Sequence, residues 1–438
     1  MKDSPIHYTA VLLSTALPVI LQTLLVSSKS VIDVLLLGFI DADSVAAAGL
    51  ASRILLIIIL LISSIAAGGG YIIAQCTYSH HKLAATTTLT IFVTVIAAAF
   101  AMMMVGASSK MLLELSTHDE NLLALALHYL TIITLSFPMI AISSVISVFL
   151  RIFGHARKVF LVYVLGLITN VLTTLIFIVI HNWGISGAAW GAVSGTLVEL
   201  VMLAWCVVPY KHCFWSCQKI RWSQLQIILS QSMFNGIGSL TWALGAFAFY
   251  ALLGRSDSEM LYILAILAPL EGLLLSFAIG LSTASGIELG KLIPTSSRID
   301  IHVKAYLSLA LSLGITLILI LIVGIVYLQF PSIFSEVTSN ENFEDFLMLM
   351  LLAALLKSIT IQLINGVIRC GGDVRFCWIL DAGIQWGVVL PSAWLLMTLE
   401  VPEKIIYTVI IAEETVKILI AGWRFRSDRW RRDLAALI

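Results

Sequence analysis

Apolar residues run along this chain in long blocks separated by short polar stretches, with little strict alternation. About 20 apolar residues in a helix cross the hydrocarbon core of a bilayer, more when the helix tilts. By that measure the pattern predicts twelve helices, over 8–38, 43–75, 84–107, 121–150, 157–181, 186–209, 225–253, 258–290, 302–329, 343–369, 376–398 and 404–424. The longest connections are YKHCFWSCQKIRWS, between the sixth and seventh helices, and a segment after the ninth with Glu336, Glu341 and Glu344. The expected fold class is all-α and integral to a membrane.

The stretch PVILQTLLVSSKSVIDVLLLG, Pro18 to Gly38, is apolar enough to span, yet it carries Lys29 and Asp33. A charged side chain at membrane depth costs between about 2.5 and 17 kcal/mol, depending on how it is measured, so such residues are usually functional. Asp33 is read as a carboxylate whose proton or cation comes and goes with transport. Lys29, four residues earlier, lies one helical turn away on nearly the same face. A charged Lys29 disfavours a sodium ion beside it, so protons are the expected driver and sodium the alternative. Pro18 lies where a helix can bend.

Composition agrees with a membrane protein: 60% of residues are hydrophobic and 11% charged, against about 45–50% and 25% in soluble domains. A formal net charge of zero gives no electrostatic reason to expect nucleic acid. The six cysteines form no disulfide framework, and His212, Cys213 and Cys217 lack a fourth ligand, so no metal is expected. Nucleotide-binding and zinc-protease motifs are missing, so neither an enzyme nor a cofactor is expected. The N-terminus MKDSPIHYTAVLL is read as part of a retained first span.

Lysines and arginines set the orientation. With the N-terminus in the cytoplasm, nearly all of those outside the spans or at their ends fall on that side. Lys110, Arg255 and Lys404 fall opposite. Both termini are therefore expected in the cytoplasm of a cell with the protein in its inner membrane. The closing RFRSDRWRRDL tail is expected to lie along the anionic inner leaflet.

The chain also repeats itself. Arg151, Gly154 and Arg157 match Arg369, Gly372 and Arg375, each 218 residues on, and two weaker matches have an offset of 216. Two six-helix bundles in the same orientation follow, 1–218 and 219–425, with 426–438 as a basic cytoplasmic tail. Many secondary transporters are built from such repeats, with the site near the bilayer midplane. The glycines are read as packing and turn residues, including Gly68, Gly69 and Gly70, and the arginines of the paired segments as topological.

Three stretches resemble one family. LSTALPVILQTLL…VIDVLLLGFIDADSVAAAGLA, NWGISGAAWGAVSG and INGVIRCGGDVRF are similar to segments of the multidrug and toxic compound extrusion (MATE) family, most like its DNA-damage-inducible protein F branch. The resemblance implies two bundles that open alternately to either side and export organic, often cationic or lipophilic compounds in exchange for protons or sodium. It also implies a role for Asp33 and Asn170 in one polar network. The sequence departs from the pattern at Thr174, Ala243 and Ser358, where some members are acidic, so the ion site is expected in the N-terminal half.

The full ion-coupling set is Asp33, Asn170, Thr174, Lys29 and Glu199, the last two turns beyond Ala192. Aromatic and amide residues suit a pocket for lipophilic cations: Gln22, Phe137, Trp242, Gln362, Asn365, Gln385 and Trp386. Among the remaining charges, Glu413 and Lys417 are spaced to pair, and Lys357 is expected to meet Glu271. The partners implied are small organic substrates and membrane lipids, with the protein acting as a monomer. A flippase of lipid-linked oligosaccharides is the rival from another class, and a non-transporting scaffold is disfavoured by the repeat.

Overall fold

The structure, a computed structural model, describes residues 5–38, 41–114, 119–214, 221–253, 258–329 and 343–438. Side chains at 27–31, 33–35, 258–262 and 265 are outside the described set. Lys29 and Asp33 are among them, although their backbone is helical. Cys217, Arg255, Glu336 and Glu341 also lie outside the described residues.

The helices are α1 (Pro5–Leu37), α2 (Ala42–Gln75), α3 (His80–Glu114), α4 (Glu120–Ile152), α5 (Ala156–Ile180), α6 (Ile185–Val207) and α7 (Trp222–Leu253). They continue as α8 (Ser258–Leu292), α9 (Arg298–Gln329), α10 (Phe343–Gly371), α11 (Val374–Thr398) and α12 (Glu403–Arg426). Among the described residues 11 helices are long and apolar enough to span a membrane. The twelfth, α12, has the length but carries Glu413, Glu414 and Lys417 in its middle. α3 extends beyond the expected 84–107 at both ends. Its polar flanks remain helical, as where the Ser108 hydroxyl donates to the Met104 carbonyl at 2.6 Å. On α9 the side chains of Leu317, Ile318, Leu321, Ile322, Ile325 and Leu328 are exposed, a surface suited to lipid.

Two compact units are present. One holds Leu21–Ser239 with the last two residues; the other holds Leu240–Ala436 together with α1 up to Ile20. The leading parts of α1 and α7 are thus exchanged between the sequence halves. Small residues make each attachment close. On the first unit, a Cβ on Gly68 of α2 would lie 2.7 Å from the Gln231 carbonyl oxygen of α7. There too the Asn235 amide donates to the Ser64 carbonyl at 2.6 Å. On the second, a Cβ on Gly280 of α8 would lie 2.9 Å from the Ile20 backbone of α1.

The 218-residue repeat is visible in the backbone. Gly154 and Gly372 take positive φ of 79° and 85°, and Asn182 and Glu400 both take 53°. Only glycine adopts the first of these conformations without strain. α5 and α11 begin at Ala156 and Val374, and α6 and α12 at Ile185 and Glu403, again 218 apart.

The C-terminal tail packs back on the protein, which its basic sequence did not predict. After α12 the chain turns at Asp428 (φ 57°) and buries Trp430 completely. The indole donates to the Phe425 carbonyl at 3.1 Å. Trp430 packs so closely on Gly371 that a Cβ there would meet its backbone oxygen, and Leu434 covers Gly372. Asp373 then accepts from Arg424 at 2.7 Å and from Arg432 at 3.1 Å. Burial of this large aromatic fixes the tail to the α10–α11 turn. Truncating a buried Trp to Ala typically costs about 3–5 kcal/mol. Trp430→Ala is expected to lose a comparable amount, read as a lowered unfolding midpoint of the purified protein.

Candidate functional site

In the first unit, α5 and α6 meet along a face of residues four apart. Gly187, Gly191, Gly195 and Glu199 of α6 lie against Phe177, Thr174, Asn170 and Gly166 of α5. Missing side chains let the two backbones approach, as at small-residue interfaces of membrane helices. A Cβ on Gly195 would lie 2.6 Å from the Gly166 carbonyl oxygen and 2.9 Å from the Asn170 Cβ, while Gly191 sits against Thr174. This contact places Asn170, Thr174 and Glu199 together. Asn170 and Thr174 are fully buried, and the Thr174 hydroxyl donates to the Asn170 side-chain Oδ1 at 3.3 Å. The Asn170 Nδ2 is buried with no acceptor among the described residues. Glu199 is 9% exposed and packs on Gly166.

Beside them lies a second polar cluster. Arg151 on α4 donates to the Gln22 side-chain oxygen on α1 at 2.6 Å. Tyr163 on α5 contacts Ser147 at 3.5 Å and feels the charges of both Arg151 and Glu199. The arginine is therefore not only a topological marker; it ties α4 to the middle of α1. Phe137 is fully buried in the apolar core with Ala48, Ile62 and Val193.

The second unit holds a larger charged cluster. Lys357 on α10 pairs with Glu271 on α8 at 2.6 Å, as the sequence predicts. Lys417 pairs with Glu413 at 2.7 Å, also as predicted, and with Asp381 at 3.5 Å. Asp381 further accepts from Arg369 at 3.2 Å. The set is repeat-related to the first unit: Arg151, Tyr163 and Glu199 correspond to Arg369, Asp381 and Lys417, each 218 on. The same three positions are thus used in both units with different charges.

Gln362, Asn365, Gln385 and Trp386 all lie on widened π-helical turns, 362–368 of α10 and 385–389 of α11. Such turns occur frequently at functional sites. Gln385 donates to the Trp242 carbonyl at 3.2 Å and Trp386 to the Thr241 carbonyl at 3.2 Å. Gln362 donates to Ser285 at 2.7 Å. Trp242 and Trp386 remain 49% and 44% exposed, which leaves aromatic faces for a ligand or lipid.

Residues 18–176 match the MatE family model. The same segment holds Asp33, Asn170 and Thr174. That segment is similar to the MatE family, and the rest of the chain is matched by fold alone. A crystal structure of MATE in the bent conformation has a TM-score of 0.84 at 14% identity, covering 96% of each chain. An outward-facing multidrug resistance MATE transporter of the MOP superfamily has a TM-score of 0.81 at 14% identity, again over 96% of both. A MOP superfamily transporter from Pyrococcus furiosus Vc1 has 0.79 at 15%, with the same coverage; its binding pocket is described as having reverse polarity that suggests a different function. At these identities the likeness is one of fold. No curated protein matches the chain.

The second unit adds to the sequence-based picture. The absence of acids at Ala243 and Ser358 placed the expected ion site in the first unit; the charged cluster of the second unit is built from other positions, Glu271, Lys357, Asp381, Glu413 and Lys417. Asp381 and the burial of Arg369 were missed. The signal was available, because the 218 offset carries Arg151, Tyr163 and Glu199 onto Arg369, Asp381 and Lys417.

Proposed function

We propose that this protein exports organic, often cationic or lipophilic compounds across the inner membrane in exchange for protons, by alternating access, with both termini cytoplasmic. Asp33 on α1 is the coupling carboxylate. The observation that carries this reading is the Asn170 amide, a fully buried donor with no acceptor among the described residues. A buried donor left so is costly, and a carboxylate on α1 of the same unit is the acceptor it suits. Thr174 and Glu199 complete the polar neighbourhood through the α5–α6 contact. Protonation of Asp33 from outside would weaken its hold on Asn170 and rearrange α1 near Pro18, which drives release of the compound outward. Lys29, if charged, takes the place a sodium ion would need.

The cargo is argued from side chains, because the fold accommodates pockets of different polarity. Trp242 and Trp386 offer aromatic faces to cations. Lys357, Lys417 and Arg369 are each paired with an acid, so they do not make the basic cavity that an anionic lipid-linked oligosaccharide would favour. A resistance panel in a pump-deficient host tests the reading. Wild type is expected to raise resistance to lipophilic cations and Asp33→Asn to abolish the rise. Rescue of a flippase-deficient strain without any rise in resistance would select the oligosaccharide reading.

A further inference from the structure

One cluster of charges among the described helices of the second unit does not balance. Lys357, Arg369 and Lys417 stand with Glu271, Asp381, Glu413 and Glu414, which leaves one surplus negative charge (3 − 4 = −1); Lys304, buried on α9, is paired apart from them with Asp300 at 2.7 Å. The first three acids each meet a base within 3.2 Å. Glu414 meets none within salt-bridge distance among the described residues. It is 6% exposed, and its Oε2 is buried with no hydrogen-bond partner among the described residues. A buried carboxylate in that position is held neutral by a proton or balanced by a cation.

The groups facing Glu414 favour the proton. From α10 come Lys357 and the Thr360 hydroxyl; from its own helix come Glu413 and Lys417. Behind Lys357 stand Glu271 of α8 and Tyr250 of α7, and behind Lys417 stands Asp381 of α11. Two ammonium groups near one carboxylate repel a metal cation, but both are already held by other acids and so leave the last carboxyl to a proton. We propose that Glu414 is a proton-binding site of the second unit, occupied while Lys357 is paired with Glu271. On release, the proton leaves to water and Glu414 becomes a carboxylate. The new negative charge then draws the Lys357 ammonium from α8 towards α12. Proton occupancy is thereby converted into a choice of partner for α10.

Glu414 lies outside the Asp33 network, and its test does not depend on transport. In the purified protein in nanodiscs, infrared spectra at neutral pH are expected to contain a protonated-carboxyl C=O band. Glu414→Gln removes that band and Asp33→Asn retains it. Thr360→Val, which keeps the carboxyl but removes its hydroxyl neighbour, shifts the band and serves if the glutamine variant does not fold. A spectrum unchanged in Glu414→Gln, or unshifted in Thr360→Val, overturns the proposal. So does a band that sodium removes at constant pH, since the site would then bind a cation. Loss of export in Asp33→Asn with the Glu414 band intact leaves the two claims separately decided.

Discussion

Lys357→Met is expected to destabilise the protein by about 3–5 kcal/mol, the usual result of removing one partner of a buried ion pair. The loss comes less from the missing attraction than from Glu271, which stays buried at 7% exposure with its partner gone. Glu271→Met is expected to cost a similar amount for the converse reason. The double variant should recover most of the stability, because two apolar side chains of similar length remove both charges and both desolvation penalties. Chemical unfolding of the four proteins in one detergent checks this. Additive losses in the double variant would mean that the 2.6 Å contact is not energetically coupled. Charge reversal of both residues should likewise restore export that either reversal alone removes.

Gly195→Val should have an effect of comparable size for a steric reason. Its nearest obstacles are the Gly166 carbonyl oxygen at 2.6 Å, the Asn170 Cβ at 2.9 Å and the Asn170 backbone nitrogen at 3.3 Å, and none can rotate aside as a side-chain tip can. Overpacking typically costs about 1–3 kcal/mol and more where backbone must move, so the upper end is expected. Separation of α5 from α6 also displaces Asn170, and export should fall at least tenfold. Gly49→Ala and Gly314→Ala serve as controls. A Cβ at either meets nothing within 4 Å, and a mid-helix Gly→Ala change stabilises by roughly 0.5–1 kcal/mol. Equal effects at all three positions would show that general helix propensity, not the α5–α6 contact, is being measured.

The helices were legible because the bilayer imposes one length on every span. The predicted 43–75 and 225–253 became Ala42–Gln75 and Trp222–Leu253. The pairs Glu413–Lys417 and Lys357–Glu271 were legible too, the first from helical spacing and the second from scarcity of other partners. The exchange of the leading parts of α1 and α7 was not legible. Hydropathy records that a segment is apolar but not which apolar neighbour it joins, and the deciding contacts are glycines such as Gly68 and Gly280. The docked tail was hidden for a related reason. RFRSDRWRRDL reads as a basic surface segment, and nothing in its charge pattern reveals that Trp430 finds a niche above Gly371. Asp381 is legible only through the 218-residue offset, which sets it at the position of Tyr163 in the first unit.

In the proposed function Asp33 is the coupling carboxylate, and the buried Asn170 amide is the observation behind it. The decisive measurement uses inverted membrane vesicles loaded with the protein, with a fluorescent lipophilic cation as cargo and sodium held equal on both sides. An imposed proton gradient is expected to drive cargo movement in wild type and to leave Asp33→Asn inactive, with Asn170→Ala strongly reduced. Movement in Asp33→Asn at the wild-type rate would contradict the account. Cargo movement that follows a sodium gradient but ignores the proton gradient would contradict its choice of ion.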